Sequence, residues 1–149
     1  MAGDPFSLVE RELGLLLRRA RASSAAMAAR VHPDLDAAAY PLLVHVSRAP
    51  GVRSSDLAAH FGVGRATISR QVRRLEELGL LARRADAADS RAQRLELTPD
   101  AERRVTTAQD ARRAWLRAAL EEWPPDDVAV LAGSIGRLNA ALDRATNRT

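Results

Sequence analysis

Two helical patterns in the middle of the chain are separated by only two residues, and this spacing constrains the fold more than any other feature. The first pattern, residues 54–62, opens with serines that can cap a helix and closes with a glycine that can end one. The second pattern opens at Arg65 and ends at Gly79. Its aliphatic residues recur at steps of four and three and so share one face: Ile68, Val72 and Leu75. Two short helices joined by a glycine-containing turn predict a helix-turn-helix.

Two short candidate strands follow this motif, at residues 80–84 and 94–98. In the second strand Leu95 and Leu97 alternate with polar residues, which indicates one buried and one exposed face. The segment between the strands, residues 85–93, is polar and turn-prone. We therefore interpret the pair as a β-hairpin, or wing, directly after the helix-turn-helix.

Two helices are predicted before the motif. Residues 5–31 carry apolar or small residues at alternating steps of four and three, as in a long helix with a packing seam. A second helix extends to about Ser47, and its predicted core residues are Tyr40, Leu43 and Val46. Pro41 either lies in the first turn of a helix that starts near Tyr40 or kinks a longer helix.

Two further helices are predicted after the wing. Thr98 caps the first, which has Pro99 at its first position and runs to about Glu122. The second begins near Asp126, after a pair of prolines. The predicted fold is therefore mainly α with a small two- or three-stranded β wing, a winged helix-turn-helix combined with further helices.

The composition excludes several classes of protein. The 149 residues, 46% of them hydrophobic, suffice for one compact core but not for two large domains. Because no apolar run can cross a bilayer and the first ten residues lack the pattern of a signal peptide, we expect a cytoplasmic protein without membrane association. The absence of cysteine excludes disulfide scaffolds, thiolate metal sites and thiol nucleophiles.

The placement of charge points to a nucleic acid as partner. All 23 basic residues are arginine, whose planar group makes forked contacts with phosphate or guanine. The segment from Arg53 to Arg94 holds nine arginines and five acids, a net charge of +4. This equals the net charge of the whole chain. Nucleic-acid binders concentrate charge on one module in this way.

The helix-turn-helix, the wing with its Asp89-Ser90-Arg91 tripeptide, and the Leu-Thr-Pro-Asp sequence at residues 97–100 together resemble the MarR family of bacterial regulators. The resemblance implies that family's fold over the whole chain, with a winged helix-turn-helix DNA-binding domain at residues 35–98. The first and last helices, residues 1–34 and 99–149, would then form a helical dimerisation region. The implied function is that of a sequence-specific transcriptional regulator, a repressor by expectation, which binds a palindromic operator on double-stranded DNA as a homodimer.

The candidate DNA-binding residues come from the second helix of the motif and from the wing. With the aliphatic residues facing inward, the arginines of that helix can face the major groove, and its small hydroxyl residues allow a close approach. The resemblance adds Arg91 at the wing tip, entering the minor groove, and Asp89, which would hold Arg91 and shape the loop. The full set is Ser54, Arg65, Thr67, Ser69, Arg70, Arg73, Arg74, Arg84, Asp89 and Arg91.

The chain departs from the family pattern at two capping positions. The resemblance places threonine or serine where Arg53 stands and serine where Gly64 stands. Ser54 is a substitute cap in the first case, whereas Gly64 supplies no hydroxyl to a phosphate. These departures concern affinity for the operator rather than the fold.

The terminal helices carry more apolar positions than one small core can bury, which predicts a two-fold dimer. The candidate dimerisation residues are Leu13, Leu16, Leu131, Ile135, Leu138 and Leu142. The resemblance also implies a small aromatic or phenolic effector in a crevice between the dimerisation and DNA-binding parts. The candidate residues for binding this effector are His32, Tyr40, His45 and Trp115.

Other functions have less support in the sequence. The scattered histidines have no metal-ligand spacing, and no phosphate-binding loop or nucleophile motif indicates an enzyme, so we expect neither a metal nor a cofactor nor catalysis. Two alternatives remain. One is a nonspecific or architectural DNA-binding protein without an inducer, and the other is a winged helix whose arginines meet an acidic protein.

Overall fold

The computed structural model describes residues 4–89 and 91–146; residues 1–3, 147–149 and Ser90 lie outside the described residues. Its elements, in chain order, are α1 (Pro5–Val31), α2 (Tyr40–Arg48), α3 (Ser54–Phe61), α4 (Arg65–Glu77), β1 (Leu81–Ala85), β2 (Gln93–Leu97), α5 (Pro99–Ala119) and α6 (Pro125–Thr146). The structure confirms the predicted fold class, because the chain is mainly helical with one small antiparallel sheet. It forms two compact units, Met1–Asp110 and Ala111–Thr149.

Local sequence explains where the first helices begin. Asp4 caps α1 by accepting hydrogen bonds from the backbone N–H groups of Phe6 and Ser7, at 3.4 and 3.3 Å. The second helix starts at Tyr40, with Pro41 in its first turn, where the missing N–H of proline costs no helical hydrogen bond. Of the two alternatives for Pro41, the late start is therefore correct.

The wing is a two-stranded antiparallel sheet that begins and ends one residue away from the prediction. Its register runs from Leu81 opposite Leu97 to Ala85 opposite Gln93. Leu80 is outside β1 because its N–H bonds the carbonyl of Leu75 at 2.9 Å and closes the end of α4. Thr98 is outside β2 because its Oγ1 accepts the N–H of Ala101 at 3.3 Å and caps α5, as predicted.

A third short segment extends this sheet. Val52, just before α3, forms an isolated antiparallel bridge with Leu95 of β2. Two backbone hydrogen bonds of 2.9 Å support it, from the N–H of Gly51 to the carbonyl of Leu95 and from the N–H of Leu95 to the carbonyl of Val52. The wing is thus hydrogen-bonded to the start of the helix-turn-helix as well as to itself.

One hydrophobic core joins α2, α3, α4 and the wing within the unit Met1–Asp110. The predicted core residues of α2 are confirmed, since Tyr40, Leu43 and Val46 are all buried. The end of α1 contributes to the same core through Met27, Ala28 and Val31. This packing fixes the helix-turn-helix against the wing, because dense cores transmit position from one element to the next.

The unit Ala111–Thr149 has a different surface. Helix α6 contains no buried residue in the part that the structure describes. Large apolar side chains remain exposed in this unit, among them Trp115, Trp123, Val130, Ile135 and Leu142. No helix among residues 4–89 and 91–146 is both long and apolar enough to span a membrane.

Candidate nucleic-acid interface

Helix α4 is amphipathic in the predicted phase. Ile68, Val72 and Leu75 are buried with at most 1% of their surface exposed, so the opposite side of the helix faces outward. The candidate residues of this helix occupy the other sides: Arg65, Ser69, Arg70, Arg73 and Arg74 are exposed, and Thr67 is half-buried. The structure therefore brings six of the predicted residues onto the solvent-facing sides of one helix.

The turn before α4 uses the conformational freedom of glycine. Gly62 ends α3 in the left-handed region at φ 62°, which side chains other than glycine adopt only at a cost. The N–H of Val63 then bonds the carbonyl of Ala58 at 3.1 Å and completes the helix end. Gly64 is the N-cap of α4 and makes no side-chain capping bond. The tight turn holds the start of α4 close to the end of α3.

The start of α3 corrects one prediction. Arg53, not a serine, is the N-cap residue, and its own side chain makes no capping hydrogen bond. Ser54 is already the first helical residue and is half-buried, so it cannot take the flanking position that a capping hydroxyl needs. Instead the carboxylate of Asp56 accepts the backbone N–H of Arg53 at 3.4 Å. Ser54 as a substitute cap is therefore wrong.

Several arginines of the motif and wing form ion pairs with neighbouring glutamates. Arg83 of β1 pairs with Glu76 of α4 at 2.8 Å, and its neighbour Arg84 pairs with Glu96 of β2 at 2.6 Å. Arg74 makes a looser pair with Glu77 at 3.6 Å. These pairs lie at the protein surface, where an ion pair contributes about 0–1 kcal/mol.

Four other arginines of the same region are not neutralised. Among the residues that the structure describes, no acid pairs with the guanidinium groups of Arg65, Arg70, Arg73 and Arg91. All four side chains are exposed. Three are on α4 and the fourth is at the wing tip, so the unpaired positive charge lies on the two elements predicted to contact DNA.

The wing tip is shaped by Asp89. Its Oδ1 accepts the backbone N–H of Arg91 at 3.0 Å, and its carbonyl accepts the N–H of Ala92 at 2.9 Å. The carboxylate thus contacts the backbone of Arg91, and within the described residues it forms no ion pair with the guanidinium. Because the turn is fixed through the backbone, the Arg91 side chain stays available to a partner. Ser90, the middle residue of the tripeptide, lies outside the described residues.

Asp86, the first residue after β1, is a site residue that was not predicted from the sequence. Only 2% of its side chain is exposed, and its Oδ2 lies 2.8 Å from Arg53 and 3.0 Å from Arg94. The N–H of Ala88 donates to its Oδ1 at 3.0 Å. This hydrogen bond, together with the one from Arg53, lowers the pKa of Asp86 to about 2, so the carboxylate is ionised at neutral pH. The sequence offered one signal, an acid among arginines in the wing, but not the pairing.

The four candidate effector-binding residues have separate environments. The Nδ1 of His32 accepts the N–H of Asp34 at 3.0 Å, and Tyr40 belongs to the core. His45 stacks on His60, with ring centroids 4.1 Å apart. Trp115, in the unit Ala111–Thr149, is 62% exposed.

A cavity of about 390 Å³ lies beside α4 within the unit Met1–Asp110. Arg70 and Arg74 of α4 line one side, and Asp34 and Asp36 come from the segment before α2. Its apolar lining consists of Leu35, Ala39, Leu75 and Leu78. None of the four candidate effector-binding residues is among its lining residues.

Known proteins match both the sequence and the fold. Residues 34–92 match the sequence profile of the MarR family. An uncharacterised HTH-type transcriptional regulator of Bacillus subtilis, YxaD, is 26% identical over 139 residues, which cover 93% of this chain and 96% of the relative. The match to the profile takes in the whole helix-turn-helix and most of the wing.

Two solved structures illustrate the match in fold. The crystal structure of MarR superposes with a TM-score of 0.76 and 24% identity, covering 100% of this chain and 98% of MarR. A protein of Listeria monocytogenes assigned to the MarR family was solved in complex with a 26mer DNA; it has a TM-score of 0.72 and 16% identity, covering 89% of this chain and 87% of that one. Residues 34–92 are thus similar in sequence to the MarR family, and the whole chain has the winged helix-turn-helix fold of these solved structures.

Proposed function

We propose that this protein is a transcriptional regulator and that it binds a defined DNA sequence by inserting α4 into the major groove and the wing tip into an adjacent minor groove. The observation that carries the proposal is the distribution of unpaired arginines, three on α4 and one at the wing tip, while acids neutralise their neighbours. Unpaired, exposed guanidinium groups on adjacent elements match the anionic surface of a duplex. The Listeria protein solved with DNA supports the same partner.

The residues of α4 divide the work by chemistry. Arg65, Arg70 and Arg73 can each make a forked pair with the O6 and N7 atoms of guanine. Thr67 and Ser69 are small enough to let the helix approach and can donate to phosphate oxygens or to bases. With Ser54, they are the candidate residues of the motif that carry no charge.

Two further arginines are candidates for phosphate contacts. Arg74 and Arg84 are paired with Glu77 and Glu96 at the surface. Because such pairs are weak, a phosphate can replace the glutamate at little cost. We therefore assign these arginines to the DNA backbone rather than to bases. Arg91 is assigned to the minor groove, where a narrow AT-rich segment concentrates negative potential, and Asp89 holds its turn.

We further propose that the protein acts as a homodimer through residues 1–34 and 99–149. Leu16 and Leu142 are each 54% exposed and Ile135 is 42% exposed, although all three are large and apolar. The other candidates are half-buried: Leu13, Leu131 and Leu138. A two-fold partner that covers these side chains would place two copies of α4 about 34 Å apart, on the two halves of a palindromic operator. Occupying a promoter in this way would repress transcription.

Release from DNA is proposed to follow from binding of a small aromatic or phenolic compound. The cavity beside α4 supports this better than the four candidate effector-binding residues do, since its arginines also belong to the DNA-binding set and its floor is apolar. An aromatic carboxylate there would occupy Arg70 and Arg74 and weaken their contacts with DNA. Benzoate and phenol should lower the affinity for DNA of the wild-type chain and should have less effect on Leu78→Phe, whose larger apolar side chain narrows the cavity without adding a charge.

In vitro selection of DNA from a random pool tests the proposed function. A sequence-specific regulator enriches a palindrome, and its binding to that palindrome survives an excess of random DNA. An architectural protein enriches no sequence, and random DNA competes equally. A chain whose arginines meet an acidic protein instead has no affinity for DNA even at low salt. Either of the last two outcomes would overturn the proposal.

A further inference from the structure

Asp86 is a buried anion at the junction of the wing and the helix-turn-helix. It follows β1 directly, and among the residues that the structure describes it is the only charged one classed as buried, at 4% exposure. Its two partners come from different places in the chain: Arg53 precedes α3, and Arg94 lies in β2. A buried carboxylate needs partners of this kind, because an unpaired charge away from water is costly.

Backbone contacts reinforce the same junction. Arg94 also donates from Nη1 to the carbonyl of Gly51 at 3.0 Å. The bridge between Val52 and Leu95 lies next to this contact. The segment 51–53 is therefore attached to β2 by the bridge and to the wing turn by Asp86, so that the wing leaves the domain in one fixed direction.

The same carboxylate pairs with two half-exposed arginines near the wing. Arg53 and Arg94 are each 45% exposed, and both are committed to Asp86. Arg91, at the tip of the same wing, is committed to no acid within the described residues. Asp86 thus pairs with two guanidinium groups that could otherwise bind a phosphate of any DNA sequence. It also holds the hairpin that carries Arg91.

On the basis of the proposed function, we infer that Asp86 is a positioning residue for discrimination between DNA sequences. It acts through Arg91, by fixing where the wing meets the minor groove, and through Arg53 and Arg94, by keeping them from nonspecific phosphate contacts. Loss of its charge should therefore lower affinity for the operator while leaving affinity for random DNA equal or higher. A residue with a purely structural role would lower both affinities together.

The variant Asp86→Asn tests this with nearly unchanged shape. We expect its affinity for the selected operator to fall by about 5- to 150-fold, the range for loss of one specific contact, and its affinity for random DNA not to fall. Glu10→Gln is the charge-matched control: it removes one negative charge from an exposed position of α1 that is none of the candidate dimerisation residues, and it should change the affinities for operator and random DNA by the same small factor. Equal affinities for wild type and Asp86→Asn, or a proportional fall on both DNAs, would overturn the inference.

A double-mutant cycle tests whether Asp86 acts through Arg91. In the Arg91→Ala background, Asp86→Asn should cause no further loss of operator affinity, because the contact it positions is already gone. Multiplicative losses would mean that the two residues act independently and would contradict the proposed route.

Two further measurements keep the test decisive if Asp86→Asn does not fold. Arg53→Gln removes one of the two ion pairs of Asp86 and leaves the one with Arg94. Like Asp86→Asn, it should lower the ratio of operator affinity to random-DNA affinity. Hydrogen exchange needs no DNA: the Leu95 N–H, bonded to Val52, should exchange faster in either variant. An unchanged exchange rate of the Leu95 N–H would overturn only the inference about Asp86. A wild-type chain that selects no DNA sequence would overturn the proposed function.

Discussion

The imidazole rings of His45 and His60 lie with their centroids 4.1 Å apart, tilted by 36°, and so join α2 to α3. Phe61 packs edge-on against both rings. Burial, then the neighbouring His60, and then Arg48 lower the pKa of His45 below its model-compound value of 6.5. Protonation of this ring is therefore easier in the unfolded chain than in the folded one.

This relationship predicts a pH dependence of stability. Because the unfolded state binds more protons, the free energy of unfolding should decrease as the pH falls below 6.5 toward the lower pKa of the folded state. Well above pH 6.5 this ring is neutral in both states, and the effect vanishes. Urea denaturation at pH 7.5 and 5.5 should show the decrease in wild type and His32→Gln, and less of it in His45→Gln. An identical pH response in His45→Gln would refute the assignment.

The wing arginine gives a second prediction. Arg91→Ala should weaken binding to the selected operator by about 1–3 kcal/mol, because one specific guanidinium contact is lost. Arg11→Ala is the control, since that side chain is exposed on α1 and pairs with Glu12. Fluorescence anisotropy at fixed salt measures both. Equal affinity for Arg91→Ala and wild type would remove Arg91 from the interface.

The N-cap of α4 allows a gain of function. At Gly64, φ is −63° and ψ is 148°, and a Cβ would meet no atom within 4 Å, so a side chain fits. Gly64→Ser should stabilise the protein by a few tenths of a kcal/mol and tighten DNA binding, because its hydroxyl can cap the helix and donate to a phosphate. Gly64→Ala has the same backbone but no hydroxyl and should gain neither. If alanine and serine behave alike, the hydroxyl is irrelevant.

The dimer interface gives a fourth prediction. Ile135→Asp places a charge on the exposed apolar surface of α6 and should shift the protein from dimer to monomer, because a desolvated charge opposes association. Asn139→Asp adds the same charge at another exposed position of α6 and should leave the dimer intact. Sedimentation velocity separates the two species. A monomeric wild-type chain, or a dimeric Ile135→Asp, would contradict the proposed interface.

Features that depend on neighbours in sequence were predictable, and those that depend on distant residues were not. The spacing of Ile68, Val72 and Leu75 placed α4 in the correct phase, because helical periodicity is a local property. The wing was found from alternation and turn residues for the same reason. The ends of β1 and β2 were off by one residue because Leu80 and Thr98 serve the adjacent helices instead.

The pairing of Asp86 shows what could not be predicted from the sequence. Its partner Arg53 is 33 residues away, and only the folded junction of wing and α3 brings the two charges together. Ser54 was misread for a related reason: the helix begins at that residue, and the flanking position belongs to Arg53. Counting nine arginines indicated a basic module, but only the structure separated those that are paired from those that are not.

Hydroxyl-radical footprinting of the selected operator tests most directly whether paired subunits present α4 and the wing tip to one duplex. The expected pattern is two symmetric protected regions whose centres are about one helical turn apart, each flanked by a minor-groove protection that Arg91→Ala removes. A single protected region, or a pattern that Arg91→Ala leaves unchanged, would contradict the account.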